Sequence, residues 1–265
     1  MDDIYFIDGH AHWHDSLSLI AFLDTARQNF RLSGSLFLSD DNNLRAFLCL
    51  ADFDGAEGWK RLKNLGSHTK YGPWTLTACD EQAMLATHST GDRLWVIAGR
   101  QIVTVEKLEV MALGTIKTVS NGLSLHESLH LLKKLGALPV LPWGVGKWWG
   151  KRGRIVREDM QQHQVLLGDN GGRPWCWRPG ILSHAPRLGI SVLPGSDPLP
   201  IESDRERNGA FGVVAKGTLS LASPTDWLKK KITAQPFDCP TFGRPMGLCQ
   251  FISNQLALRN KGKTS

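Results

Sequence analysis

The sequence predicts an α/β fold, a distorted TIM-like (β/α) barrel formed by one domain over residues 1–265. Three observations predict it. Short apolar strands begin near positions 138, 165 and 191, at intervals of 27 and 26 residues. Each follows a helix-like segment and runs into a loop rich in Gly, Pro or Asp, which is the rhythm of βα units on a parallel sheet. The N-terminus shows the same order, and 265 residues suffice for one large core.

From the start of the chain, Ile4 to Ile7 reads as a strand and Asp8-Gly9-His10-Ala11-His12-Trp13-His14-Asp15 as its loop. Asp15 or Ser16 can cap a helix that places Leu19, Leu23, Ala26 and Phe30 on one side. Gly34 ends it, and Ser35 to Leu38 reads as the next strand. The stretch from Trp74 to Val105 departs from the βα rhythm. Four β-prone runs separated by Asp-Glu, Ser-Thr-Gly-Asp and Gly-Arg predict antiparallel hairpins. Ser124-Leu125-His126-Glu127 is a capping box opening a helix with an apolar face of Leu125, Leu129 and Leu132, closed by Gly136. Strands over 137–141, 165–167 and 190–193 follow, with helices near 154–163 and 179–188 between them and two more near 225–231 and 248–258.

Composition narrows the function classes. The apolar runs are too short to span a membrane, and the acidic start lacks a basic leader, so a cytoplasmic protein is expected. Five cysteines without a CxxC pair read as reduced thiols. Net charge is +6, with Lys147, Lys151, Arg152, Arg154 and Arg157 crowded together and a tail of Arg259, Lys261 and Lys263 read as a solvated end. That density is low for a nucleic-acid face, so a small anionic substrate is the expected partner and nucleic acid is not. Five of the ten tryptophans (Trp143, Trp148, Trp149, Trp175, Trp177) fall in loop-like sequence, where they read as pocket walls.

Loops beyond the carboxyl ends of parallel strands are where such folds bind ligands. In Asp8-Gly9-His10-Ala11-His12, residues two apart point to one side of an extended chain, so two imidazoles can share a divalent ion. Asp197, in Gly195-Ser196-Asp197-Pro198 after the last strand of the series, can be a ligand or a general base. Glu106 and Glu109 follow a β-prone run, and Glu106 is taken as the further ligand. In Gly168-Asp169-Asn170-Gly171-Gly172-Arg173, Asp169, Asn170 and Arg173 are candidate substrate contacts. Lys147 and Trp148 belong to a Gly-rich loop without Walker spacing and are read the same way. His68, His88, His126, His130, His163 and His184 read as surface or packing histidines. There is no GxSxG elbow, no activated Cys and no GxGxxG after a strand, which removes acyl-enzyme and dinucleotide chemistry.

On these residues the chain resembles a family. The strand ending Asp8-Gly9-His10-Ala11-His12 and the late Gly195-Ser196-Asp197-Pro198 are similar to the first and last metal-site motifs of the amidohydrolase superfamily. The first resembles equally the opening of the PHP phosphoesterases. The resemblance implies a distorted (β/α) barrel carrying divalent zinc, manganese or iron. It also implies a metal-activated water that hydrolyses a C–N, C–O or phosphoester bond. His10 and His12 would be first-strand ligands and Asp197 the last-strand acid that takes the proton. The middle-strand histidines of an amidohydrolase have no placed counterpart, so Glu106, Asp169 or Asn170 would stand in for them. A ligand-binding protein on a decayed hydrolase barrel is the non-catalytic alternative.

Overall fold

The computed structural model describes residues 2–38, 42–234 and 239–264, with side chains to Arg259; the side chains of Lys261 and Lys263 lie outside the described residues. In chain order the first half runs β1 (Asp3–Ala11), α1 (Leu19–Ser33), β2 (Arg45–Leu50), α2 (Gly58–Asn64), β3 (Thr69–Tyr71), β4 (Trp74–Asp80), β5 (Ala83–His88), β6 (Arg93–Ile97), β7 (Gly99–Val103) and β8 (Glu109–Leu113). The second half runs α3 (Leu125–Lys134), β9 (Leu138–Pro142), α4 (Lys151–Gln162), β10 (Leu166–Asn170), α5 (Gly180–His184), β11 (Val192–Gly195), β12 (Phe211–Gly217), α6 (Pro224–Thr233), β13 (Thr241–Gly243) and α7 (Leu248–Thr264).

The fold is mixed α/β, and the described strands form two sheets. One has the order β13-β12-β1-β2-β6-β5-β4-β3 and the other β11-β10-β9-β8-β7. Among the named strands, β1-β2-β6 pair parallel in the first sheet and β9-β10-β11 in the second. Two of the expected hairpins are present, since β4, β5 and β6 pair antiparallel in sequence; the third is not, because β6 and β7 lie in different sheets and β7 pairs antiparallel with β8 instead. No ring of hydrogen bonds closes the described strands into a barrel.

Side-chain alternation along β1 explains how the sheets pack. Tyr5 and Ile7 enter a core that also takes Met111, Val140, Leu166 and Leu193 from the second sheet, while Phe6 points the other way, into the core under α1. Helix α1 covers the first sheet through Phe22, Leu23, Ala26 and Phe30. Helices α3 and α4 cover the second through Leu125, Leu129, Leu132, Val156 and Met160. Ser124 and Glu127 make the expected capping box, and Gly136 takes a positive φ of 69° just past the helix.

Several expectations are corrected. Ser35 to Leu38 is a turn, with Leu36 92% exposed, and the parallel partner of β1 is β2 instead. Strand β2 was not foreseen because nearly every residue is buried, so it lacks alternation. The cap of α1 is Ser18, which accepts from Ala21 N. Strand β1 extends to Ala11, and β10 takes in Gly168, Asp169 and Asn170, so residues read as loop are strand ends. Trp143 and Trp148 are buried in the core of the second sheet, whereas Trp149, Trp175 and Trp177 are exposed. No helix of the described residues is long and apolar enough to cross a membrane.

Candidate metal centre

The site is made where the ends of β1, β10 and β11 meet. The two sheets approach closely there: a Cβ on Gly195 would sit 2.3 Å from the backbone N of His10, and one on Gly9 would sit 2.4 Å from Leu193 Cγ. Only glycine fits such contacts. Asp8 fixes the approach. Its buried carboxylate accepts from His10 N at 3.1 Å, Ser196 N at 2.8 Å, Ser196 Oγ at 2.5 Å and Gly209 N at 2.7 Å. One side chain thus ties β1 to the loops before Asp197 and before β12. Burial pushes the Asp8 carboxyl up to about 6, against the pull of these hydrogen bonds.

Three side chains converge above this clamp. His10 Nε2 lies 3.1 Å from His12 Nε2. Asp197 Oδ1 lies 3.1 Å from His12 Nε2 and 3.4 Å from His10 Nε2. Asp197 has a φ of 43° and precedes a proline, a disfavoured backbone held by its N–H bonding to His10 O at 2.8 Å. Its other oxygen accepts from Asn170 Nδ2 at 2.7 Å. Asn208 clamps the His12 backbone in both directions, at 3.0 and 2.9 Å.

The charges suit cation binding. Burial lowers the pKa of His10, outweighing Asp197, and so favours the neutral imidazole whose lone pair can bind a metal. For Asp197, burial acts to raise the carboxyl. His10, the His12 hydrogen bond and Lys147 outweigh it and hold the group well below the usual carboxylate range. Hydrogen bonds alone do not account for the triangle. A ring nitrogen has one position for either a proton or a lone pair, so His12 Nε2 cannot donate to Asp197 and accept from His10 at once. A cation bound to all three would satisfy them. The separations match the edge of a tetrahedron, about 3.4 Å for bonds near 2.1 Å. Asn170 Oδ1, next to this group, is buried without a partner among the described residues.

The other expected site residues are distributed as follows. Lys147 pairs with Glu109, and both charges act on His10. Glu106 sits elsewhere, at the start of α3, where its carboxylate accepts from Leu125 N at 3.1 Å. Asp169 and Arg173 are spent on each other in a buried bidentate pair of 2.6 and 2.8 Å, because strand alternation turns Asp169 away from Asn170. Trp148 is in the core. The sequence reading missed Asn208, Ser196 and Asp52. Asp52 extends β2, and its carboxylate feels His12 while accepting from Trp59 N at 2.8 Å. An acid two residues past a strand of the parallel core was the available signal, hidden because β2 itself was not seen. His14 stacks on His12, its ring centroid 5.7 Å away, and bonds Pro198 O through Nε2 at 2.8 Å.

No protein-family model matches the chain, and no curated protein does. Solved structures do match. PsfC from Pseudomonas syringae PB-5123 is 11% identical with a TM-score of 0.57, over 98% of this chain and 99% of that one. The lesion-specific endonuclease PfuEndoQ from Pyrococcus furiosus is 12% identical with a TM-score of 0.54. An endonuclease Q in complex with a 27-mer duplex bearing an abasic lesion is 12% identical with a TM-score of 0.51. Each of the two covers 87% of this chain, which spans only 56% of their length. At these identities the likeness is one of fold. It corrects the expected partner: a small anionic molecule to the exclusion of nucleic acid does not stand when two similar folds are DNA endonucleases.

Proposed function

We propose that the protein is a metal-dependent hydrolase of phosphoester bonds, with a nucleic-acid backbone as its candidate substrate. The triangle of His10, His12 and Asp197 carries the reading. The motif resemblance to PHP phosphoesterases and the endonuclease folds support phosphoester over amide chemistry, and we read the two sheets as an opened (β/α) barrel. A divalent ion held there would supply Lewis acidity toward a phosphoryl oxygen and toward water. His10 and His12 would hold it as neutral donors. Asp197 Oδ1 faces both histidines, and Asn170 keeps the carboxylate in that orientation. Asp197, ionised at neutral pH, is the proton acceptor for the attacking water. Lys147, tied to Glu109 beside the site, would meet a non-bridging phosphate oxygen. Lys151, Arg154 and Arg157 are exposed on α4, which follows the Lys147 loop, and would bind neighbouring phosphates.

The test is hydrolysis of nitrophenyl phosphate mono- and diesters and of a duplex with an abasic lesion, with zinc, manganese or iron supplied in turn. Turnover is expected that chelation removes and the metal restores. Turnover of amides alone would move the reading to the amidohydrolases. Tight duplex binding with no turnover would favour a non-catalytic protein.

A further inference from the structure

A second trio of ligand-type side chains stands apart from this centre, on the outer helices of the second sheet. His126, in the first turn of α3, places Nδ1 3.0 Å from Asp159 Oδ1 on α4. His163, at the end of α4, places Nε2 3.2 Å from His126 Nδ1 and 3.9 Å from Asp159 Oδ1. Asp159 and His163 are one helical turn apart, so both project toward α3. The first trio spans 3.1, 3.1 and 3.4 Å. The second, at 3.0, 3.2 and 3.9 Å, matches it on two edges and is wider on the third.

Hydrogen bonding accounts for this trio no better than for the first. If His126 Nδ1 carries a proton, it donates to Asp159 and cannot accept from His163. If it is bare, it accepts from His163 and leaves Asp159 facing a lone pair. Tautomers with a proton on both facing nitrogens would let each ring donate to Asp159, but would point two N–H groups at each other with their nitrogens 3.2 Å apart. Asp159 and His163 are largely buried, with side chains 10% and 14% exposed, while His126 is 60% exposed. The trio therefore has a fixed floor and an open side, through which an ion could enter and keep water as a further ligand. We infer that His126, Asp159 and His163 form a second divalent transition-metal site that links α3 to α4. Two imidazoles and one carboxylate select zinc, cobalt or nickel over magnesium or calcium. The site does not depend on the hydrolase reading.

The experiment titrates chelator-treated protein with Co²⁺ and Zn²⁺ by absorption spectroscopy and calorimetry. It uses wild type, His126→Ala, His10→Ala/His12→Ala and the triple variant. His126 is exposed, so its loss leaves the fold intact. The inference expects His10→Ala/His12→Ala to bind about one ion, with micromolar or tighter affinity, and the triple variant to bind at least about tenfold more weakly. Wild type is expected to lose about one of two ions on His126→Ala, and to lose the zinc-dependent part of its rise in Tm. Zinc binding weaker than about 100 μM in His10→Ala/His12→Ala would overturn the inference, as would an affinity that His126→Ala does not change. Should the double variant not fold, the wild-type and His126→Ala stoichiometries decide. If only the site at His10 is empty, the hydrolase reading fails while this one stands.

Discussion

Asp8 holds the candidate centre together with a buried carboxylate that meets four donors. Asp8→Asn keeps the size, but its amide nitrogen would confront donors and leave them unsatisfied. It is expected to lower stability by at least about 2 kcal/mol in urea unfolding, and a loss under about 0.5 kcal/mol would contradict the clamp. Asn170 hydrogen-bonds Asp197 and would orient it without being one of the three proposed ligands. Asn170→Ala is expected to weaken metal binding about 10–100-fold with little change in the unfolding midpoint, as for partners that orient a ligand. Far from the site, Asp92 gives a pH prediction. Burial acts to raise its carboxyl, but Arg31, Leu44 N and Arg27 outweigh it, and the folded-state pKa is lowered. A lowered carboxylate contributes stability above its unfolded value near 3.8 and loses it as pH falls through the folded pKa. Asp92→Ala should therefore destabilise the protein near neutrality and flatten its acid limb in pH-dependent unfolding.

At the scale of elements, the meeting of β1 and β11 sets the distance between His10 and Asp197. Gly195→Ala would drive a Cβ into the His10 backbone. It is expected to cost about 1–3 kcal/mol and to reduce metal affinity together with stability, as measured by unfolding and metal titration. These elements also show what the sequence made legible. The capping box of α3, the Gly136 stop and the two hairpins over residues 74–97 are local signals, and all are present, whereas β7 leaves for the second sheet. The candidate triangle was legible as an HxH strand end and an Asp after a late strand. Strand β2 was not, since burial on both faces erases the period of two, and Asp52 went unseen with it. Glu106 and Glu109 could not be told apart from spacing. Strand β8 begins at Glu109, which lies beside the site, while Glu106 remains in the preceding turn. Ser35 to Leu38 had strand composition, but Leu36 faces outward and the segment only reverses the chain after α1.

Over the whole molecule, a net charge of +6 and an exposed basic edge on α4 fit a polyanionic partner. Duplex binding measured from low to moderate salt should weaken steeply. Neutralising Lys151 and Arg154 together should reduce the slope of log K against log salt by about two while leaving the metal centre unaltered. An unchanged slope would remove α4 from the interface. The central claim is that His10, His12 and Asp197 hold a divalent ion. Its most direct test is elemental mass spectrometry of protein purified without chelator, in a His126→Ala background that silences the outer trio. The account predicts about one zinc, manganese or iron per chain, lost on His10→Ala/His12→Ala. An ion content that those substitutions leave unchanged, or no ion even after incubation with each metal, would contradict it.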